Sequence, residues 1–130
     1  MKNIVENNKF IAEFMGFVAD KSFEVKLADG INTSYYYRKD DVVHLPEIMK
    51  YNCSWDWLME VVEKIESLPD EENNGAFFFE IYQDSVIIFS NGDYINELIE
   101  VMGQGSRINS VYQAVIEFIQ WYNQETKSLL

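Results

Sequence analysis

The chain has 130 residues, of which 48% are hydrophobic, and its 22 acidic and 10 basic side chains give a formal net charge of −12. This apolar content excludes an intrinsically disordered chain. The length is that of one domain that can bury its own core. We therefore predict a single domain over residues 1–130, with a frayed end at 124–130.

The negative charge is concentrated in the second half of the sequence. Residues 1–53 carry eight acidic and seven basic side chains, whereas residues 54–125 carry 14 acidic side chains against Lys64 and Arg107. Such a field repels phosphate backbones and anionic lipids, so the sequence predicts neither direct nucleic-acid binding nor membrane binding. A basic protein partner fits this charge, and a solvated acidic surface is the alternative.

The number of cysteines and the lack of long apolar segments indicate the cellular compartment. Cys53 is the one cysteine in the sequence, so no intramolecular disulfide can form, which fits a reducing compartment. The first residues lack the apolar run of a signal peptide, and no stretch approaches the roughly 20 apolar residues that span a bilayer. We expect the cytoplasm, or the cytoplasm of a host cell.

The first predicted element is a short helix over about residues 6–15. Its apolar residues fall on one helical stripe, at Phe10, Ile11, Phe14 and Met15. Asn7 or Asn8 can cap its start, and Gly16 can supply the left-handed residue that ends it.

Strands are predicted next. Ser22–Leu27 alternates apolar and polar residues, which indicates a half-buried strand with Phe23, Val25 and Leu27 inward. Asp29-Gly30 is a turn signal, and Tyr35–Tyr37 favours a return strand. Residues 40–50 are expected to be irregular, because Pro46 blocks a long helix.

The strongest periodicity predicts a helix over about residues 54–67. Ser54 is a candidate N-cap, and Pro69 lies just beyond the end. The expected inward stripe consists of Trp55, Leu58, Val62 and Ile65.

Beyond a polar loop, two β-prone runs at 76–82 and 85–90 predict a hairpin. Residues 94–102 fit either a helical stripe or a third strand of a meander. The last element is a helix over about 107–122, for which Ser106 is a candidate cap.

The sequence contains no convincing catalytic or metal-binding set. His44 and Cys53 alone do not supply the clustered ligands of a zinc site, so we expect no metal and no cofactor. Cys53 precedes a helix N-terminus, where a thiol is most reactive, but a spectator thiol is the simpler interpretation. Gly103–Ser106 lacks the lysine and spacing of a phosphate-binding loop and is better read as a connector.

Aromatic and acidic residues are the remaining candidates for a site. Trp55 and Trp57 are separated by about 200° on a helix, so both cannot face one core. An exposed tryptophan can anchor a protein interface, and an acidic run can attract a basic partner. The candidate interaction anchors are Trp57, Trp121, Asp70, Glu71 and Glu72.

Three segments carry a resemblance to known sequences: Asn8–Gly16, Ser54–Glu66 and Val111–Asn123. Together they resemble small uncharacterised proteins of phages, prophages and Bacteroidetes-type bacteria, which are similar to the phage ABA sandwich domain group. One departure is Glu60, where the related motif often has proline. The shared residues are mainly core-type positions, so the resemblance reports a fold rather than a site.

The resemblance implies an α+β fold in which an antiparallel sheet of hairpins or a meander is packed between amphipathic helices. The implied order is roughly α-β-β-α-β-β-(β)-α, which favours a strand at 94–102. It implies no activity and transfers no catalytic or ligand residues.

We therefore expect a non-enzymatic protein-interaction module of phage or mobile-element origin in the cytoplasm of a bacterium or of a phage-infected host. Its partner is an unidentified protein, for which the charge favours a basic one, or a second copy of itself. One alternative is an acidic decoy that inhibits a nucleic-acid-binding protein. A second is a small enzyme that uses Cys53 or carboxylates.

Overall fold

The structure is a computed structural model that describes residues 4–27, 30–39 and 42–128. Helices and antiparallel sheets make up the fold, so the predicted α+β class is confirmed. The chain forms two compact units, unit 1 (residues 1–50) and unit 2 (residues 51–130). The expectation of one domain over the whole chain stays a prediction.

Unit 1 begins with the predicted helix. Helix α1 spans Ile4–Phe14. The prediction that Asn7 or Asn8 caps its start is wrong, because the helix begins before both residues. At its end the Phe17 N–H donates to the Ala12 carbonyl at 2.9 Å and the Gly16 N–H donates to the Glu13 carbonyl at 3.1 Å. This pair of bonds is a Schellman motif, and it needs the left-handed residue that Gly16 provides at φ 93°. The predicted stop is confirmed.

The sheet of unit 1 has three antiparallel strands. Strands β1 (Val18–Leu27), β2 (Gly30–Lys39) and β3 (Val42–His44) lie in the order β1-β2-β3. The first two confirm the predicted strand and its return strand. The predicted turn at Asp29 and the inward side of Phe23, Val25 and Leu27 lie outside the residues and side chains that the structure describes.

The expectation that residues 40–50 are irregular is wrong in part. Val42–His44 forms β3, in which His44 pairs with Tyr37 of β2. Pro46–Ile48 then forms a 3-10 helix. Proline is tolerated there because it lies in the first turn, where a backbone N–H would have no intrahelical acceptor.

The interior of unit 1 joins α1 to this 3-10 helix. The Asn8 side chain is 1% exposed, and its Nδ2 donates to the carbonyls of Pro46 at 3.2 Å and Met49 at 3.1 Å. The His44 ring meets the buried Phe17 ring edge-on at 4.9 Å. His44 therefore serves as an aromatic packing partner.

Unit 2 opens with helix α2 (Trp55–Ser67). Ser54 caps it as predicted, because its hydroxyl accepts the Trp57 N–H at 3.5 Å. The residues buried on α2 are Leu58, Val61, Val62 and Ile65.

The placement of Trp55 in the inward stripe is wrong, because its side chain is 39% exposed. At 100° per residue, the centre of the buried arc lies about 70° from Trp55 and about 90° from Trp57 on the other side. The two indole rings therefore flank the buried arc. Trp57 is half-buried, with its ring edge-on to Tyr51 at 5.1 Å.

The sheet of unit 2 has four antiparallel strands in sequential order: β4 (Pro69–Asp70), β5 (Gly75–Ile81), β6 (Ser85–Asn91) and β7 (Ile95–Met102). The predicted hairpin is confirmed as β5 and β6, and the strand favoured at 94–102 is confirmed as β7. Strand β4 was not predicted. It pairs Pro69 with Ala76 and Asp70 with Gly75, which closes a tight turn over residues 71–74.

Helix α3 (Arg107–Ser128) completes unit 2 and extends beyond the predicted end. The Ser106 hydroxyl accepts the Asn109 N–H at 3.2 Å, so the predicted cap is confirmed. Residues up to Ser128 are helical, and their fraying stays a prediction. Among the described residues, no helix combines the length and apolar character needed to cross a membrane.

The core of unit 2 lies between the helices and one face of the sheet. Helix α2 packs against β5, and α3 packs against β6 and β7. Pairing of Val86 with Val101 and of Phe77 with Ser90 places these four residues on one face, where all are buried. The opposite face carries Phe78 stacked on Phe89 at 4.9 Å.

Candidate functional site

A cleft of about 420 Å³ lies in unit 2 between β4 with its following turn and the last turns of α3. We call it the acidic cleft. Four acidic and three aromatic side chains line it together with Pro69 and Thr126: Asp70, Glu71, Glu72, Glu125, Phe77, Trp121 and Tyr122. Its volume is large enough for one or two side chains of a partner.

Helix α3 builds the aromatic wall of the cleft through its own periodicity. Phe118, Trp121 and Tyr122 lie at i, i+3 and i+4, and therefore on one face of the helix. Phe118 is fully buried and its ring stacks on that of Tyr122 at 5.8 Å. Trp121 and Tyr122 are half-buried, so part of each ring remains accessible in the cleft.

The sheet supplies the back of this wall through Phe77 of β5. Its ring meets Phe118 edge-on at 5.0 Å and Trp121 at 5.8 Å. Trp121 also lies 5.6 Å from Phe118 in a tilted arrangement. These contacts fix the orientation of the indole ring, because packing between aromatic rings is favourable and directional.

Asp70 is held in place by a chain of buried polar groups. The Ser90 hydroxyl, whose residue is 1% exposed, donates to the Asp70 carboxylate. The same hydroxyl oxygen accepts from Nδ2 of Asn73 at 2.9 Å. A buried polar chain with every member satisfied fixes side-chain positions. The Asp70 carboxylate is therefore an oriented acceptor at the cleft.

Asn73 also joins two turns of the sheet beside the cleft. Its side chain donates to the Tyr94 carbonyl at 2.7 Å and accepts the Tyr94 N–H at 3.1 Å, and its backbone carbonyl accepts the Asp93 N–H at 2.8 Å. The turns lie so close that a Cβ at Gly92 would overlap the Asn73 carbonyl oxygen. This contact stiffens the turn that carries Glu71 and Glu72.

Four of the five predicted anchors come together in this cleft. Trp121, Asp70, Glu71 and Glu72 line it, although they are separated by about 50 residues in the sequence. Trp57 does not join them, because its ring packs against Tyr51. These residues lie together only because the end of α3 lies next to β4. Local sequence patterns do not predict that tertiary contact.

Five residues that line the cleft were absent from the predicted set: Pro69, Phe77, Tyr122, Glu125 and Thr126. Trp121 and Glu125 are four residues apart on α3, so helical spacing would have linked them. Phe77 gave no signal, because it lies in a run of three phenylalanines whose two faces cannot be told apart before the register is known.

A second cleft, of about 400 Å³, lies at the start of α3 and includes Asp84, Gly105 and Arg107. The helix N-terminus and Arg107 favour an anion there, whereas the carboxylate of Asp84 opposes one. Cys53 is exposed and lines neither of these clefts. Among residues 4–27, 30–39 and 42–128, no three potential metal ligands cluster.

The acidic cleft thus combines partly accessible aromatic rings, one oriented carboxylate and three exposed carboxylates. Carboxylates pair with cationic groups, and aromatic faces attract them. No protein-family model, curated protein or solved structure matches the chain.

Proposed function

We propose that the protein is a non-enzymatic interaction module that binds a basic segment of a partner protein in the acidic cleft. The observation that carries this proposal is the convergence of four carboxylates and three aromatic side chains on one concave surface. Aromatic residues anchor protein interfaces, and charge complementarity accelerates and orients association.

The arrangement supports binding better than catalysis. A carboxylic acid that transfers protons at neutral pH is normally desolvated by its surroundings. In contrast, Glu71, Glu72 and Glu125 are exposed. Neither His44 nor Cys53 lines the cleft.

The origin and compartment of the module belong to the same proposal. A phage or mobile-element origin is supported by the sequence resemblance alone. The cytoplasm is supported by the single, exposed Cys53, because disulfides are scarce in reducing compartments.

The proposal is tested with a fluorescent nonapeptide that contains three arginine and three lysine residues. Fluorescence anisotropy should show binding at 50 mM salt that weakens at 200 mM salt, because exposed charges are screened. An acidic peptide of equal length should not bind. Absence of binding by the basic peptide would contradict the proposal.

A pair of matched variants distinguishes the contribution of the cleft to binding from that of the general negative charge of unit 2. The Glu71→Gln/Glu72→Gln variant should bind about fivefold more weakly, since each exposed ion pair contributes ~0.2–1 kcal/mol. The Glu97→Gln/Glu100→Gln variant changes the net charge equally, at exposed positions of β7 outside the cleft. Its affinity should stay within twofold of wild type. Equal losses in both variants would contradict the proposed site.

A second candidate function is an acidic decoy that occupies a nucleic-acid-binding protein. It is favoured by the 14 acidic side chains confined to residues 54–125. The complex with such a protein should weaken steeply with salt and be displaced by duplex DNA. Formation of a ternary complex with DNA would argue against it.

Self-association is the alternative to a foreign partner. Tyr94, Ile95 and Met102 at the ends of β7 are exposed by 64–69% and could pack against a second copy. Light scattering that shows a monomer at millimolar concentration would remove this alternative.

A further inference from the structure

We infer that the acidic cleft selects arginine over lysine in the basic segment that it binds. The inference rests on the proposed function and adds the identity of the recognised side chain. It follows from the combination of a fixed indole ring and an oriented carboxylate, each of which treats the two cations differently.

The indole ring of Trp121 offers a flat surface of defined orientation. Phe77 and Phe118 contact it at 5.8 Å and 5.6 Å, while its half-buried state leaves part of the ring accessible in the cleft. A planar guanidinium stacks on such a ring and keeps its N–H groups in the plane. A lysine ammonium is compact and strongly hydrated, so it gains less from the same surface.

Two carboxylates that line the same cleft can accept the N–H groups of a guanidinium stacked on Trp121. Asp70 lies in the same cleft as Trp121 and is oriented through Ser90 and Asn73. Glu125 lies one helical turn beyond Trp121 on α3. Hydrogen bonds between two charged groups are stronger than neutral ones, and the guanidinium can direct its donors at two carboxylates at once.

The charge of the cleft favours a cationic occupant, and the aromatic ring and oriented carboxylate make this occupant an arginine of a basic peptide. Four acidic side chains line the cleft, and the part of the chain between residues 54 and 125 is strongly negative. A cleft of about 420 Å³ accepts a single extended side chain of this length.

The test compares two nonapeptides that are identical except that every arginine of one is a lysine in the other. Isothermal titration calorimetry should give an affinity about fivefold higher for the arginine peptide, as expected for one stacked cation. Equal affinities would overturn the inference and leave the proposed function standing. Failure of both peptides to bind would overturn both.

The Trp121→Leu variant tests whether the preference for arginine over lysine arises at the Trp121 ring. It should lower the affinity for the arginine peptide about fivefold and leave that for the lysine peptide within twofold, which removes the selectivity. Trp55→Leu is the matched control, because Trp55 is exposed and lies outside the cleft. Equal losses for both peptides in Trp121→Leu would contradict arginine stacking.

A measurement on the unmodified ring covers the case in which Trp121→Leu does not fold. In ¹H–¹⁵N NMR spectra of the wild-type protein, the arginine peptide should shift the indole N–H signal of Trp121 and leave those of Trp55 and Trp57 in place. The lysine peptide should shift the Trp121 signal less. An unchanged Trp121 signal at saturating arginine peptide would overturn the inference.

Discussion

At the scale of single residues, the carboxamide of Asn73 connects stability to the site. It is 5% exposed and bonds to Ser90 and to both backbone groups of Tyr94. Removing one partner of buried hydrogen bonds leaves the others unsatisfied, at about 1–3 kcal/mol. Asn73→Ala should therefore lower the free energy of unfolding in urea by about 2 kcal/mol.

The same substitution should also weaken binding of the basic peptide, because Asp70 loses the support that reaches it through Ser90. Asn123→Ala, at an exposed position of α3, is the control and should change the free energy of unfolding by less than about 0.5 kcal/mol. If the Asn73→Ala and Asn123→Ala variants had the same free energy of unfolding, the buried hydrogen-bond network would not be formed.

The buried phenol of Tyr51 should make the free energy of unfolding depend on pH in the alkaline range. Burial, and secondarily the negative charge of Glu60, raise the pKa of the Tyr51 phenol above its ordinary value. A raised folded-state pKa means that the unfolded chain releases this proton first. The contribution of Tyr51 is therefore complete below pH ~10 and falls as the pH rises further, by up to about 1.4 kcal/mol per pH unit.

The Tyr51→Phe variant removes this titration. Its free energy of unfolding, measured in urea between pH 9 and pH 11.5, should decline less steeply than that of the wild-type protein. At pH 7 the two slopes should coincide, since the phenol is neutral in both states there. Parallel curves over the whole range would show that Tyr51 is not buried as described.

At the scale of elements, the predictions that succeeded rest on local chemistry. The helices were indicated by apolar spacing and by Ser54, Ser106 and Gly16. The two serine hydroxyls accept backbone N–H groups at helix starts, and Gly16 adopts the left-handed conformation at a helix end, as expected. The two missed strands are short. Because β3 and β4 contain three and two residues, they are defined by pairing with distant residues rather than by their own pattern.

The cap of α2 provides a direct test of this local chemistry. Ser54→Ala removes the hydroxyl that accepts the Trp57 N–H and should cost about 1 kcal/mol of unfolding free energy. Ser67→Ala, at the exposed opposite end of the helix, is the control and should cost less. Equal effects of the two substitutions in urea denaturation would contradict a role for the cap.

At the scale of the whole molecule, the sequence indicated which residue types line the cleft but not that they lie together. The charge of residues 54–125 favours a basic partner, which stays a prediction, and Trp121 and Asp70 were candidate anchors before any fold was known. Phe77 and Glu125 joined the site because β4 pairs with β5 beside the end of α3. That juxtaposition arises from tertiary packing, which a single sequence does not display.

The proposed function requires that the acidic cleft, rather than acidity in general, recognises a basic partner. Backbone amide shifts during titration with the basic nonapeptide test it most directly. We predict that the largest shifts fall within residues 69–72 and 121–126, which border the cleft. Shifts spread evenly over the acidic residues, or concentrated on the exposed glutamates of β7, would contradict the account.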